Sequence, residues 1–191
     1  HIHLPLQSGS NRILKLMRRG HTIERYLDQV TYMKKKIPGI EISTDLIVGF
    51  PGETDEDYEE TIKVVKEVRF SQIYPFKYSP RPGTYAEKLG DSVPREVKEE
   101  RLARLINLQE EINTGQMRNL LGTEQEVLIE ERHHKKANYW NGRTNGYRPI
   151  TVKAQDLSVG DLILVKVTGF YGHWLEGELL KVIKRADLQQ S

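Results

Sequence analysis

The sequence predicts an α/β segment over residues 1–120 followed by a small all-β barrel of the OB kind over residues 121–187. Three observations carry this prediction. Strand-like and helix-like periodicities alternate through the first segment. Within it, the strand core Leu46-Ile47-Val48 is apolar on both faces, as suits a parallel strand covered by helices. After Gly122 the helical period gives way to short alternating runs punctuated by Gly, Asn and Asp.

The elements follow in order. Ile2, Leu4 and Leu6 alternate with His1, His3 and Pro5, a strand already under way at the first residue, which leads us to expect the C-terminal piece of a longer polypeptide. Gly9 and Ser10 break it. A short helix is expected from Asn11 to Arg19, stopping at Gly20. A second starts at the cap Thr22, with Ile23, Tyr26, Leu27, Val30, Met33 and Ile37 on one face, and ends at Pro38-Gly39. A strand from Ile40 to Phe50 follows. Thr54 and Asp57 then open a helix with a capping-box-like start, whose buried side carries Tyr58, Ile62, Val65 and Val68. The third strand covers Gln72 to Tyr78. The order β-α-β-α-β argues for a parallel sheet with crossover helices. After a turn-rich loop, a long helix from Pro94 to Arg118 reads as a surface helix or a rod leading to the second domain. Five short strands complete the chain: Glu126–Glu130, Tyr139–Thr144, Ile150–Lys153, Leu162–Thr168 and Trp174–Val182. They suggest an antiparallel barrel.

Composition bounds the chemistry. With 29 Lys and Arg against 27 Asp and Glu, the net charge of +2 excludes a globally basic nucleic-acid binder but not a local basic patch. The chain has no cysteine, so by itself it supplies no disulfide, thiolate nucleophile, zinc finger or iron–sulfur ligand. No run approaches the ~18 apolar residues of a membrane-spanning helix, so no membrane partner is expected.

Ligands of parallel α/β sheets bind at the C-terminal ends of the strands. That rule selects three places. At the first, Gln7, Ser8 and Ser10 surround Gly9 with amide and hydroxyl donors, suited to a ribose or carboxylate, or equally to a helix cap and tight turn. At the second, Gly49 and Gly52 let a planar ligand approach the backbone. Asp45, a carboxylate in an apolar strand beside Ile47, requires a partner: an arginine such as Arg19, or a polar ligand. The Gly-Lys-Ser/Thr ending of a phosphate-binding loop is missing. At the third, the stiff loop Tyr78-Ser79-Pro80-Arg81-Pro82-Gly83-Thr84 offers one guanidinium for a phosphate or carboxylate, unless Arg81 is idle at the surface. His1 and His3 share a strand face, as in a His-x-His metal site, but only Asp45 is at hand to complete one. Core histidines are the default, and no metal site is expected in this chain. In the second segment, Lys135, Lys136, Tyr139, Arg143, Arg148 and His173 lie among aromatic residues, a mixture suited to single-stranded nucleic acid. Trp140 and Trp174 filling a small core is the alternative.

The segments HLPLQSGSNRILKLMRRG, STDLIVGFPGETDEDYEET and YSPRPGTYAEKL together resemble the second half of the radical-SAM methylthiotransferases, most of all the tRNA-modifying branch. Gly142-Arg143-Thr144 and its flanking strands resemble the TRAM domain that ends these enzymes. The resemblance implies the C-terminal half of a radical-SAM partial (β/α) barrel followed by TRAM. It implies S-adenosyl-L-methionine and two 4Fe–4S clusters in the full-length enzyme, whose cysteine ligands are absent here, so the chain alone should be inactive. It implies a cytoplasmic enzyme whose partners are the tRNA anticodon stem-loop and the missing N-terminal part of the same polypeptide. The implied reaction is cleavage of S-adenosylmethionine to a 5′-deoxyadenosyl radical, hydrogen abstraction from C2 of N(6)-isopentenyladenosine next to the anticodon, then sulfur insertion and methylation. Gln7, Ser8, Ser10, Arg19, Asp45, Ile47, Gly49, Tyr78 and Arg81 would surround the cofactor, and Lys135, Lys136, Tyr139, Arg143, Arg148 and His173 the RNA. Sister branches acting on threonylcarbamoyladenosine or a ribosomal protein, a non-enzymatic RNA-binding adaptor and a metal-dependent hydrolase are the alternatives.

Overall fold

The computed structural model of the protein describes residues 1–186, so the domain end expected at residue 187 lies outside the described residues. The chain divides into two compact units, Ile2–Ile112 and the residues from Asn113 onward together with His1.

The first unit holds a three-stranded parallel sheet in the order β1 (Ile2–His3), β2 (Ile42–Val48), β3 (Gln72–Lys77). Helices α1 (Asn11–Leu16), α2 (Ile23–Lys36) and α3 (Asp55–Val68) connect the strands, followed by α4 (Tyr85–Lys88) and α5 (Arg95–Leu120). The expected strand through Leu6 is shorter, and Pro5 is the reason: it has no N–H to give to the ladder. Thr44 bridges the gap. Its Oγ1 accepts from the Leu6 amide at 2.9 Å and donates to the Leu4 carbonyl at 2.8 Å. Pairing resumes at Gln7, which bridges Leu46. The core under this sheet contains Leu6, Leu46, Val65, Phe70, Ile73 and Leu105, all at most 2% exposed, each contributing about 1.5–3 kcal/mol by burial.

Two helix ends position the site. The α3 cap is a full capping box: Thr54 Oγ1 accepts from the Asp57 amide, and Asp57 Oδ2 accepts from the Thr54 amide at 2.8 Å. Helix α1 stops short of the expected Arg19. Its end is a Schellman motif, in which the Arg19 amide reaches the Leu14 carbonyl (2.9 Å) and the Arg18 amide the Lys15 carbonyl (3.0 Å). The left-handed residue of that motif is Arg18 (φ 58°), where glycine is the usual occupant.

Helix α5 is more than a surface element. Leu105 and Ile112 belong to the first core, Met117 to the second. The second unit is a closed barrel in the order β4 (Glu124–Arg132), β5 (Tyr139–Thr144), β6 (Pro149–Lys153), β8 (Trp174–Lys184), β7 (Leu162–Tyr171). The antiparallel expectation is corrected at one pair, because β6 and β8 run parallel. A ring of five strands cannot alternate direction at every seam, so one seam must be parallel. Val127, Ile129, Ile150, Val152, Ile163, Val165 and Leu175 fill the interior. Trp140 packs against that core from its edge, whereas Trp174 is exposed.

Candidate functional site

A cavity of about 820 Å³ opens in the first unit where the parallel strands end. Six of the sequence-selected residues line it: Gln7 after β1, Asp45 and Ile47 on β2, Tyr78 and Arg81 after β3, and Arg19 after α1. Sequence reasoning missed Arg18, Phe50, Phe76, Lys77 and Tyr85, which also line the wall. The alternation of β3 held the signal for Phe76, an aromatic residue exposed on an edge strand.

Each wall residue is set by its element. Gln7 is held with φ 74°, its amide donating to the Asp45 carbonyl and its carbonyl accepting from the Ile47 amide, both at 2.9 Å. This left-handed conformation is uncommon for a residue with a side chain. Asp45 answers the expected pairing differently: its partner is His3, with Nε2 3.5 Å from Oδ1, rather than Arg19. His3 Nδ1 bonds Ser43 Oγ at 2.9 Å, so β2 fixes the imidazole through one nitrogen and presents Asp45 to the other. Among the described residues, no group of three or more His, Cys, Asp or Glu is arranged to hold a metal ion. The Tyr78 ring meets Phe50 edge-on, with centroids 5.2 Å apart, and Lys98 Nζ lies 5.4 Å from the Tyr78 ring centroid. The Tyr78 hydroxyl is buried without a hydrogen-bond partner among the described residues. Burial, then the nearby Asp91 and Glu87, push its pKa up.

Three residues of the sequence-selected set are not in this wall. Ser8 and Ser10 are fully buried in protein: Ser8 Oγ accepts from the Ser10 amide at 3.2 Å, and Ser10 donates its hydroxyl to Asp57 at 2.7 Å. They build the turn rather than face the cavity. Gly49 does not leave its face open to a planar ligand, because a Cβ there would come within 2.3 Å of Lys98 Cγ. The Lys98 stem already occupies that space.

Charge is unevenly distributed in this unit. Arg12, Arg95, Arg101 and Arg104 each sit on a carboxylate: Asp57, Glu99, Glu53 with Asp55, and Glu59. Arg18, Arg19 and Arg81 converge on the cavity with no ion pair among the described residues. Lys77 pairs with Glu99 at 3.1 Å. Glu53 is buried, which raises its pKa against the opposing pull of the Gly49 amide and Arg101.

On the barrel, Lys135 and Lys136 sit in the turn between β4 and β5, their amides donating to His133 Nδ1 at 3.1 and 3.2 Å. Lys136 Nζ stands 5.2 Å from the Tyr139 ring centroid. Tyr139 and Arg143 alternate with the inward Gly142 and Thr144, so both point outward on β5. Arg143 stacks on Tyr147 at 4.1 Å and also meets Glu130 at 3.2 Å. His173 is exposed in the separate turn between β7 and β8. The expectation for Arg148 is corrected. It is 5% exposed, donates to Gln116 Oε1 at 2.7 Å and lies against Met117, so it is buried against the C-terminal part of α5.

Residues 1–65 match the family model of the Radical SAM superfamily, and residues 118–180 that of the TRAM domain. The chain is 46% identical over 183 residues to the tRNA-2-methylthio-N(6)-dimethylallyladenosine synthase of Aquifex aeolicus (strain VF5), covering 96% of this chain and 41% of that protein. It is 45% identical to the enzyme of the same name from Alkalilimnicola ehrlichii, covering 94% of this chain and 40% of that one. The chain thus spans about two fifths of the length of the curated relatives it matches. Among solved structures, the radical SAM enzyme coproporphyrinogen III oxidase from Escherichia coli aligns with a TM-score of 0.50 and 14% identity, over 74% of this chain and 40% of that one, a likeness of fold. Over residues 1–65 the chain is therefore similar to the radical SAM superfamily, and over residues 118–180 to the TRAM domain.

Proposed function

We propose that this chain works as part of a cytoplasmic tRNA-modifying methylthiotransferase that adds a methylthio group to C2 of N(6)-dimethylallyladenosine next to the anticodon. The observation that carries the reading is the similarity at 46% identity across nearly the whole chain to a synthase of that product. The cavity at the strand ends supports it, since parallel α/β folds hold their ligands there.

The wall suits S-adenosylmethionine. Asp45 offers an acceptor for an amino group, Arg19 a guanidinium for a carboxylate, and Ile47, Phe50 and Tyr78 an apolar and aromatic face for an adenine. The chain has no cysteine, so its own residues do not fit a 4Fe–4S cluster, and the two clusters of this reading are held elsewhere in the enzyme, by a preceding part of the polypeptide. S-adenosylmethionine held in this cavity would supply the radical chemistry, while the residues of this chain would orient it and the substrate and exclude water. The TRAM turn, with Lys135, Lys136 and Tyr139, supplies cations and a ring for the anticodon stem-loop.

Equilibrium dialysis of radiolabelled S-adenosylmethionine against the whole protein tests the cavity assignment. Asp45→Ala and Arg19→Ala are expected to weaken binding about tenfold or more, the scale of one lost charge-assisted hydrogen bond. Unchanged binding in both variants removes the cofactor from this cavity.

A further inference from the structure

The cavity carries more positive charge than S-adenosylmethionine accounts for. That cofactor has one carboxylate beside an ammonium and a sulfonium, so a single guanidinium serves it. Here Arg18, Arg19 and Arg81 converge on the wall without a carboxylate partner among the described residues, in a unit where Arg12, Arg95, Arg101 and Arg104 are each paired. Among the described residues the wall holds one acidic side chain, Asp45, which lies 3.5 Å from His3 Nε2 and which the cofactor's amino group would take up.

Arg18 is the most telling of the three. It occupies the left-handed position of a Schellman motif (φ 58°), where glycine is favoured because a side chain there is strained. The strain runs against stability, and what the side chain gains is a place on the cavity wall with its guanidinium 3.9 Å from the Tyr85 ring centroid. Stacking leaves the guanidinium edge, with its N–H donors, free to bind an anion, and an arginine fork matches phosphate oxygens in pairs. Phe76 and Tyr85 add ring surface beside the cations. Cations interleaved with rings on a concave wall are the chemistry of a single-stranded polynucleotide site.

We propose that the cavity of the first unit is also a phosphodiester-binding cleft, in which Arg18 and Arg81 hold backbone phosphates beside the nucleoside to be modified, so that RNA is gripped by this unit as well as by the TRAM turn. The proposal rests on the reading of the protein as an RNA-modifying enzyme and adds which residues of this unit hold the strand.

The test is the salt dependence of binding of an unmodified anticodon-arm RNA hairpin to the full chain, read by fluorescence anisotropy. Each phosphate contact contributes about 0.7 to the slope of log K against log salt on a single strand. Arg18→Gly with Arg81→Ala is expected to lower the slope by about 1.4 and to weaken binding about tenfold or more at ~0.1 M salt. Arg18→Gly alone is expected to raise Tm while lowering affinity, a split that a purely structural role does not produce. Lys substitution at both positions is expected to restore the slope, since charge is kept. An unchanged slope in the double variant, with RNA still bound, overturns this proposal and leaves the RNA-modifying reading standing. Loss of S-adenosylmethionine binding with an unchanged RNA slope overturns it as well, assigning both arginines to the cofactor. Absence of any salt-dependent RNA binding by the wild-type chain overturns both.

Discussion

Ser10 donates its hydroxyl to Asp57 Oδ1 at 2.7 Å, and this bond ties the turn after the first strand to the N-terminal cap of α3. Asp57 also accepts from the Thr54 amide and from Arg12, so one carboxylate holds the strand-end turn, the helix start and a cation from α1. Ser10→Ala is expected to cost about 1–2 kcal/mol, because the buried carboxylate loses one donor and the turn loses its anchor. Urea unfolding of the wild type and the variant measures the difference.

The same carboxylate sets an acid limit on stability. Burial acts to raise the pKa of Asp57, but the hydrogen bonds from Arg12, Ser10 and Thr54 outweigh it and hold the group well below the usual range. The folded value lies beneath the unfolded value of about 3.9, so the stabilisation is present above about pH 4 and is lost as the pH falls from there toward the folded value. Tm measured from pH 6 down to pH 2 is expected to fall more steeply for the wild type than for Asp57→Asn. Parallel curves would show that Asp57 contributes no such linkage.

Gly9 and Gly20 differ sharply in what they tolerate. A Cβ at Gly9 would come within 2.3 Å of Thr61 Cα and 2.8 Å of the Glu60 carbonyl, both backbone atoms that cannot give way. At Gly20 nothing lies within 4 Å. Gly9→Ala is expected to destabilise by about 3 kcal/mol or more, separating α3 from the strand-end turn, whereas Gly20→Ala should stay within about 0.5 kcal/mol of the wild type. Paired thermal melts distinguish the two.

The barrel's two kinds of cation also separate by experiment. Arg148→Ala is expected to lower the stability of the TRAM unit by about 1–2 kcal/mol and leave the salt slope of RNA binding unaltered, because its guanidinium faces Gln116 and Met117. Lys135→Ala with Lys136→Ala is expected to do the reverse, reducing the slope by about 1.4 with little change in Tm. Denaturation and anisotropy on the same preparations give both readings.

What was legible in the sequence was mostly local. Thr54 and Asp57 lie three residues apart, and their capping box needs nothing from the rest of the chain. Pro38-Gly39 ends α2 by the same short-range logic. Residues whose roles depend on pairing register were harder. Asp45 finds His3 rather than Arg19 because β1 lies alongside β2 with His3 opposite Ser43, a register fixed by packing. Ser8 and Ser10, polar residues after a strand, look the same in sequence whether they serve a ligand or a buried carboxylate 47 positions away. Arg148, next to a tyrosine in a turn, has the composition of an RNA-facing residue, and only the end of α5 reveals that it is covered. The four-residue helix Tyr85–Lys88 is too short to leave a period, although its Thr84 cap is present.

The nucleosides of tRNA from cells in which the gene for this protein is deleted give the most direct test of the proposed function. Digestion and mass spectrometry are expected to show N(6)-dimethylallyladenosine accumulating where its 2-methylthio derivative stood, with the derivative restored by the wild-type gene and not by an Asp45→Ala, Arg19→Ala double variant. An unchanged content of the methylthio nucleoside in the deletion strain would contradict the account and return the chain to an RNA-binding role without this chemistry.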